Sequence, residues 1–254
     1  MTVNTVFVAT RSGGNFALLL VKVFAHKFRR KITFMKMTQF TIGVYPKANE
    51  VSKRCTHIAN AIVYHLLDVY TVHATFIKIN LSLHQTNVKQ SLFRDDSIVE
   101  VRLKYDDRLL NDDYDIFFDA LTLHIKHLID ILKSELHWPV EDFQYFQKIV
   151  EKVIKDKNNY RYKLNSLSLA NTTLTRRVDV FLDLEVSKLA LIGEIYGPEN
   201  TFLRQEILFQ ESQGYMIHNL LEELRSEIIR ERFVLIYKGN REELSSIDLN
   251  LMSS

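Results

Sequence analysis

From Met37 onward the chain switches between two hydrophobic periods, two residues for strands and about 3.6 for helices. "TQFTIGVYP" (38–46) alternates and is stopped by Pro46. Asn49 then stands where a helix cap belongs, ahead of an apolar stripe of Val51, Cys55, Ile58, Ile62, Leu66 and Val69. "TVHATFIKINLSLH" (71–84) reads as one extended segment, "QTNVKQSLFRDDS" (85–97) as a loop, and "IVEVRLKY" (98–105) as a strand with Val99, Val101, Leu103 and Tyr105 inward.

Two helices follow. "DIFFDALTLHIKHLIDILKSEL" (115–136) repeats Phe117, Leu121, His124, Leu128 and Leu132 at spacings of three and four. Pro139 opens the second, which runs to residue 155 through Val140, Phe143, Phe146, Val150 and Val153. Strands are expected at 160–169, 177–186, 188–196 and 201–210, with "GPEN" (197–200) as the turn before the last. "YMIHNLLEELRSEIIRER" (215–232) has helical spacing, "FVLIYK" (233–238) is strand-like, and a polar tail follows Gly239.

These elements predict an α+β protein of mainly antiparallel sheets with amphipathic helices packed on one face. The helix pair separates two β-rich halves. We therefore expect an N-terminal lobe over 37–137 and a C-terminal lobe over 138–254, the latter a β-meander with a closing helix. Composition agrees with long regular elements, since 254 residues include only seven Gly and three Pro.

Charge changes the picture at the N-terminus. No Asp or Glu precedes Glu50, whereas residues 1–36 hold seven Lys or Arg; without them 26 basic residues face 31 acidic ones, a formal charge of −5. Residues 1–36 are read as a basic leader outside the working fold, with an integral element, a targeting segment, or an RNA- or membrane-surface-binding arm as alternatives. The acidic body weakens a nucleic-acid reading for the rest of the chain. The single cysteine, Cys55, excludes an intramolecular disulfide and lies on a helical stripe, so it is expected as a buried small hydrophobe. A reducing, cytoplasmic setting fits it.

Candidate chemistry centres on carboxylates. "RRVDVFLDLEV" (176–186) places Asp179, Asp183 and Glu185 on one side of a strand, where hard cations such as Mg²⁺ or Mn²⁺ could bind. Asp183-Leu184-Glu185 resembles the Asp-x-Glu strand of nucleotidyltransferases, but the Gly-Ser turn that grips nucleotide phosphates in that family is missing upstream. "VEVRLK" (99–104) is similar to the Glu-x-Glu-x-Lys strand of triphosphate tunnel enzymes, with Arg102 where a carboxylate belongs. Neither resemblance covers enough of the chain to define a family. His124 and His127 are three apart on one helix and lack a second ligand set. No P-loop, Rossmann fingerprint, nucleophile elbow or CxxC occurs.

The favoured expectation is a non-enzymatic protein-binding module of inhibitor, immunity or antitoxin type, with no cofactor. Its partner is a protein with a basic surface, met by Asp106, Asp107, Asp112 and Asp113 in the acidic loop and by Asp179, Asp183 and Glu185 on the strand. The alternative is a metal-dependent nucleotide or phosphate enzyme built on the same strand carboxylates.

Overall fold

The computed structural model describes residues 35–46, 49–69, 72–86, 88–95, 97–136, 138–157, 160–212 and 217–250. The leader, apart from Met35 and Lys36, lies outside the described residues. Strand β1 (Met35–Lys36) leads into β2 (Gln39–Tyr45), helix α1 (Asn49–Tyr64) and a π-helical turn over His65–Val69. Short β3 (His73–Ala74) pairs back to β1, and β4 (Lys78–His84), β5 (Ser91–Arg94) and β6 (Ile98–Lys104) follow. The segment 71–84, read as one extended run, is thus two strands, and the expected loop 85–97 contains β5.

The first large sheet has the order β2-β4-β6-β5. Its pairs β2/β4 and β4/β6 are parallel, and only β5 runs antiparallel, on the edge. The fold is α+β with its other three sheets antiparallel throughout, so this sheet departs from the antiparallel expectation. Between β2 and β4 the crossover carries α1, long enough to return the chain to the same end of the sheet, and between β4 and β6 the return runs through the segment that holds the edge strand β5. One face of the sheet is apolar and fully covered: Phe40, Ile42, Val44, Ile79, Leu81, Val99 and Val101 are buried.

A 3₁₀ turn (Asp107–Leu110) precedes α2 (Tyr114–Glu135) and α3 (Val140–Asp156); α3 buries Phe143, Phe146, Val150 and Val153 as their spacing predicts, whereas Val140, expected on the same stripe, stands 72% exposed in the first turn. The second large sheet is a meander of β7 (Tyr160–Asn171), β8 (Arg176–Leu184), β9 (Lys188–Tyr196) and β10 (Phe202–Ser212), in the order β10-β9-β8-β7. The chain then forms α4 (Ile217–Glu223) and the sheet β11 (Leu224–Ile229), β12 (Arg232–Tyr237) and β13 (Glu243–Asp248).

The long closing helix expected over 215–232 is therefore a helix of seven residues followed by a strand. Leu224 and Ile228 lie four apart, which satisfies either period. A hairpin decides it: Arg230 and Glu231 both take positive φ, 48° and 64°, and join β11 to β12 in a two-residue loop. Such loops usually announce themselves with Asn-Gly, so Arg-Glu gave no sign. The polar tail after Gly239 is likewise ordered, as β13 against β12.

Residues Thr33–Ser254 form one compact unit, and α1 lies at its centre. Every residue from His57 to Leu66 is buried, so the second half of this helix and the turn after it have no wet face, while Glu50 and Lys53 in its first half reach solvent. The helix packs on β2, and its Cys55, Ile58 and Ile62 are buried. Burial pushes the Cys55 thiol up to about 12, which leaves it protonated and inert. Toward the second half the contacts are polar. His57 Nε2 lies 3.0 Å from the Leu184 carbonyl, Tyr64 Oη donates to the Lys163 carbonyl at 2.9 Å, and Asn60 Oδ1 accepts from the Ile217 amide at 3.2 Å. The Tyr64 ring stacks on Tyr162 with centroids 4.2 Å apart. On the inner side of β9, Gly193 gives room to Ile247 of β13, since an added Cβ would come within 2.8 Å of that side chain.

His57 is held as a neutral ring. A carbonyl only accepts, so Nε2 carries the proton, and Nδ1, 3.3 Å away, receives the Tyr114 hydroxyl. Burial pushes the pKa of His57 down to about 4, and that of His65 likewise to about 4. Unfolded imidazoles protonate near 6.5, so the stability is complete above that pH and is lost as pH falls from 6.5 toward 4, by up to roughly 3 kcal/mol per ring. Urea midpoints should accordingly fall between about pH 7.5 and pH 4.5; a constant midpoint over that interval contradicts the neutral, buried assignment.

Candidate functional site

The outer face of the meander is the surface on which the strand carboxylates were expected. Alternation in β8 buries Val178, Val180, Leu182 and Leu184 and points Arg177, Asp179, Phe181 and Asp183 outward. Pairing across the sheet then sets side chains in rows. Phe181 stands opposite Ile192, and Ile192 opposite Ile207; Asp179 opposes Glu194, which opposes Gln205; Arg177 opposes Tyr196, which opposes Phe202.

The carboxylates do not assemble into a metal site. Asp179 is only 4% exposed, and its two oxygens are met by Lys163 Nζ at 2.8 Å and Arg177 Nε at 3.0 Å. The Arg177 approach is close but poorly aligned for a hydrogen bond, so it is best described as an ion pair. Asp183 lies four residues further along the strand, on the order of 13 Å away by strand rise and too far to share an ion. It sits opposite Arg161 and Ala190. Glu185 lies beyond the end of β8 and pairs with Lys188 at 3.0 Å. Glu194, the neighbour on β9, is taken by Arg161 and by the Tyr196 hydroxyl. Among the described residues, no three His, Cys, Asp or Glu side chains are placed to hold a metal ion.

The acidic loop is largely occupied by local structure. Asp106 accepts from the Arg108 amide at 2.9 Å and pairs with its guanidinium at 2.7 Å, which holds its carboxyl down at about 2. Asp113 caps α2 by accepting from the Asp115 and Ile116 amides. Asp107 and Asp112 are exposed.

His124 and His127 line a surface groove of about 360 Å³ with Gln90, Leu103, Lys104 and Leu123. His127 Nε2 is 2.9 Å from Gln90 Oε1, and the His124 ring lies between the Ala120 and Lys104 carbonyls at 2.8 and 3.2 Å. Both rings are thereby engaged with the protein itself.

Beside the paired charges of Asp179 and Glu194, the outer face carries exposed apolar side chains. Ile207 is 63% and Phe202 52% exposed, and both belong to β10, the edge strand of the sheet. Phe181 and Ile192 extend the row inward, with the Arg161 guanidinium 5.1 Å from the Phe181 ring. Sequence reasoning singled out the carboxylates and passed over these four, because an isolated Ile or Phe on a strand carries no signal until register aligns it with others.

Comparison with protein-family models, curated proteins and solved structures gave no match to this chain. No helix among the described residues is long and apolar enough to cross a membrane.

If Lys163 and Arg177 serve to neutralise Asp179, Lys163→Met should lower stability by about 1–2 kcal/mol, less than for a fully buried pair because both cations are well solvated. Excess Mg²⁺ or Mn²⁺ should leave the melting temperature of the unmodified protein unchanged. A metal-dependent rise would return these carboxylates to a catalytic reading.

Proposed function

We propose that the protein is a non-enzymatic binding module that docks on another protein through the outer face of the β7–β10 sheet, in the manner of an inhibitor, immunity or antitoxin factor. The observation that carries this reading is the row Phe181, Ile192 and Ile207, with Phe202 exposed on the same edge strand beyond the polar row of Asp179, Glu194 and Gln205. An apolar centre with a polar border is how specific protein interfaces are built. Free association would otherwise leave these side chains in water.

The long-range charge favours a basic partner, since residues beyond the leader carry a formal −5 by sequence. At short range the face offers little unpaired charge, so affinity rests on the apolar anchors and charge sets mainly the rate of encounter. On this reading Asp179 supports the surface and Asp183 lies on its border.

The test is capture of the partner from the protein's own source, then titration against point variants. Ile207→Asp and Phe202→Ala should each weaken the complex by about 30-fold or more, while the melting temperature changes little because both side chains are half-exposed. A partner that binds the double variant undiminished excludes this face.

A further inference from the structure

The parallel sheet also has a second face, and its composition is of another kind. Parallel sheets are normally covered on both sides. Here the side opposite the core carries Thr41, Gly43 and Tyr45 on β2, Lys78, Asn80, Ser82 and His84 on β4, and Glu100, Arg102 and Lys104 on β6, with Phe93 on β5. On this face Tyr45 and Phe93 are 50% and 47% exposed.

Three features of this face agree. Its formal charges are the cations Lys78, Arg102 and Lys104 against the single anion Glu100, which is engaged by Arg102 at 2.7 Å and by the Ser82 hydroxyl at 3.1 Å. Its only large exposed hydrophobic side chains are aromatic, and each is backed by a flat polar group. His84 stacks on Tyr45 with centroids 4.9 Å apart at 17°, and the Arg102 guanidinium lies 4.2 Å from the centre of Phe93. Gly43 lets the Tyr45 ring lie down on the sheet, since a Cβ there would meet the ring at 3.0 Å. The rings stand at opposite edges of the sheet, on the order of 20 Å apart by strand spacing and rise.

We infer that this face binds single-stranded nucleic acid, with bases stacked on Tyr45 and Phe93 and phosphates drawn to Lys78, Arg102 and Lys104. Stacking platforms combined with a cationic track are how single strands are held without sequence readout, over sites of roughly 4–16 nucleotides. The face lacks the aliphatic centre of a protein interface, which distinguishes it from the outer face of β7–β10. The negative total of the body does not oppose the inference, because counterion release depends on the cations at the contact.

The experiment is fluorescence anisotropy on the full chain with labelled single-stranded RNA and DNA oligonucleotides of about 10 nucleotides, and with the matching duplex. Tyr45→Ala and Phe93→Ala should each weaken single-strand binding roughly 5- to 100-fold. Gly43→Ala should act in the same direction by lifting the Tyr45 ring. Lys78→Gln with Lys104→Gln should reduce the slope of log affinity against log salt by about 1.4, and Lys126→Gln with Lys155→Gln on the far helices should not. Preference for RNA over DNA would indicate contacts to the 2′-hydroxyl, and equal affinity a footing on rings and phosphates alone; either supports the inference.

No binding overturns it. So does binding that the aromatic variants leave unchanged, which would assign the contact to another part of the chain, or a duplex that binds as well as the single strand. Capture of a protein that depends on Tyr45 and Phe93, without oligonucleotide binding, also overturns it and makes the face a protein-docking surface.

Discussion

Burial of the second half of α1 on all sides is the constraint on which the rest of the structure depends. A helix with a wet side closes a domain; a helix without one must be shared by two layers. From His57 to Tyr64 α1 has no wet side, with the parallel sheet against one flank and the antiparallel meander against the other. Burying His57 and Asn60 is tolerable only because each finds a backbone partner, the Leu184 carbonyl and the Ile217 amide. These bonds also fix position, since a helix slipped by one turn would leave buried polar groups without partners.

That sharing decides which surfaces stay open. With the apolar stripes of α2 and α3 and the second half of α1 turned into the core, the second face of each large sheet is left outward, and the chain has given the two faces different characters. On β7–β10 the charges are paired among themselves around Asp179 and Glu194, and hydrophobic side chains stand clear at the edge strand. On β2-β4-β6-β5 the hydrophobic side chains are two aromatic rings and the charges are mainly positive. Each surface follows from strand alternation: the same period that fills the core delivers its other half to solvent.

Alternation and helical stripes were legible in the sequence wherever the period was long and clean. β6, α2 and β8 could be placed within a few residues, and the inward side of β8 was evident from Val178, Val180 and Leu182. The partner of each strand was not legible. Parallel pairing of β2, β4 and β6 depends on where α1 and then the segment holding β5 return the chain, and a strand alternates alike whichever way its neighbour runs. The change from α4 to β11 depends on a hairpin whose Arg230–Glu231 turn lacks the usual residues. For the candidate site, the outward placement of Asp179 and Asp183 could be read, but the sinking of Asp179 between Lys163 and Arg177 could not. The apolar row required register, and the Tyr45 and Phe93 platform required knowing which aromatics the core had not taken.

The most direct test of the shared-helix account is amide hydrogen exchange under native conditions, followed across both sheets as denaturant is raised. The account predicts that α1 exchanges among the slowest segments, and that the protected amides of β4, β6, β8 and β9 converge on one opening free energy, because neither sheet keeps a core without α1. Two separate opening free energies, with the β7–β10 sheet exchanging while the parallel sheet remains protected, would contradict it and show two lobes that fold independently.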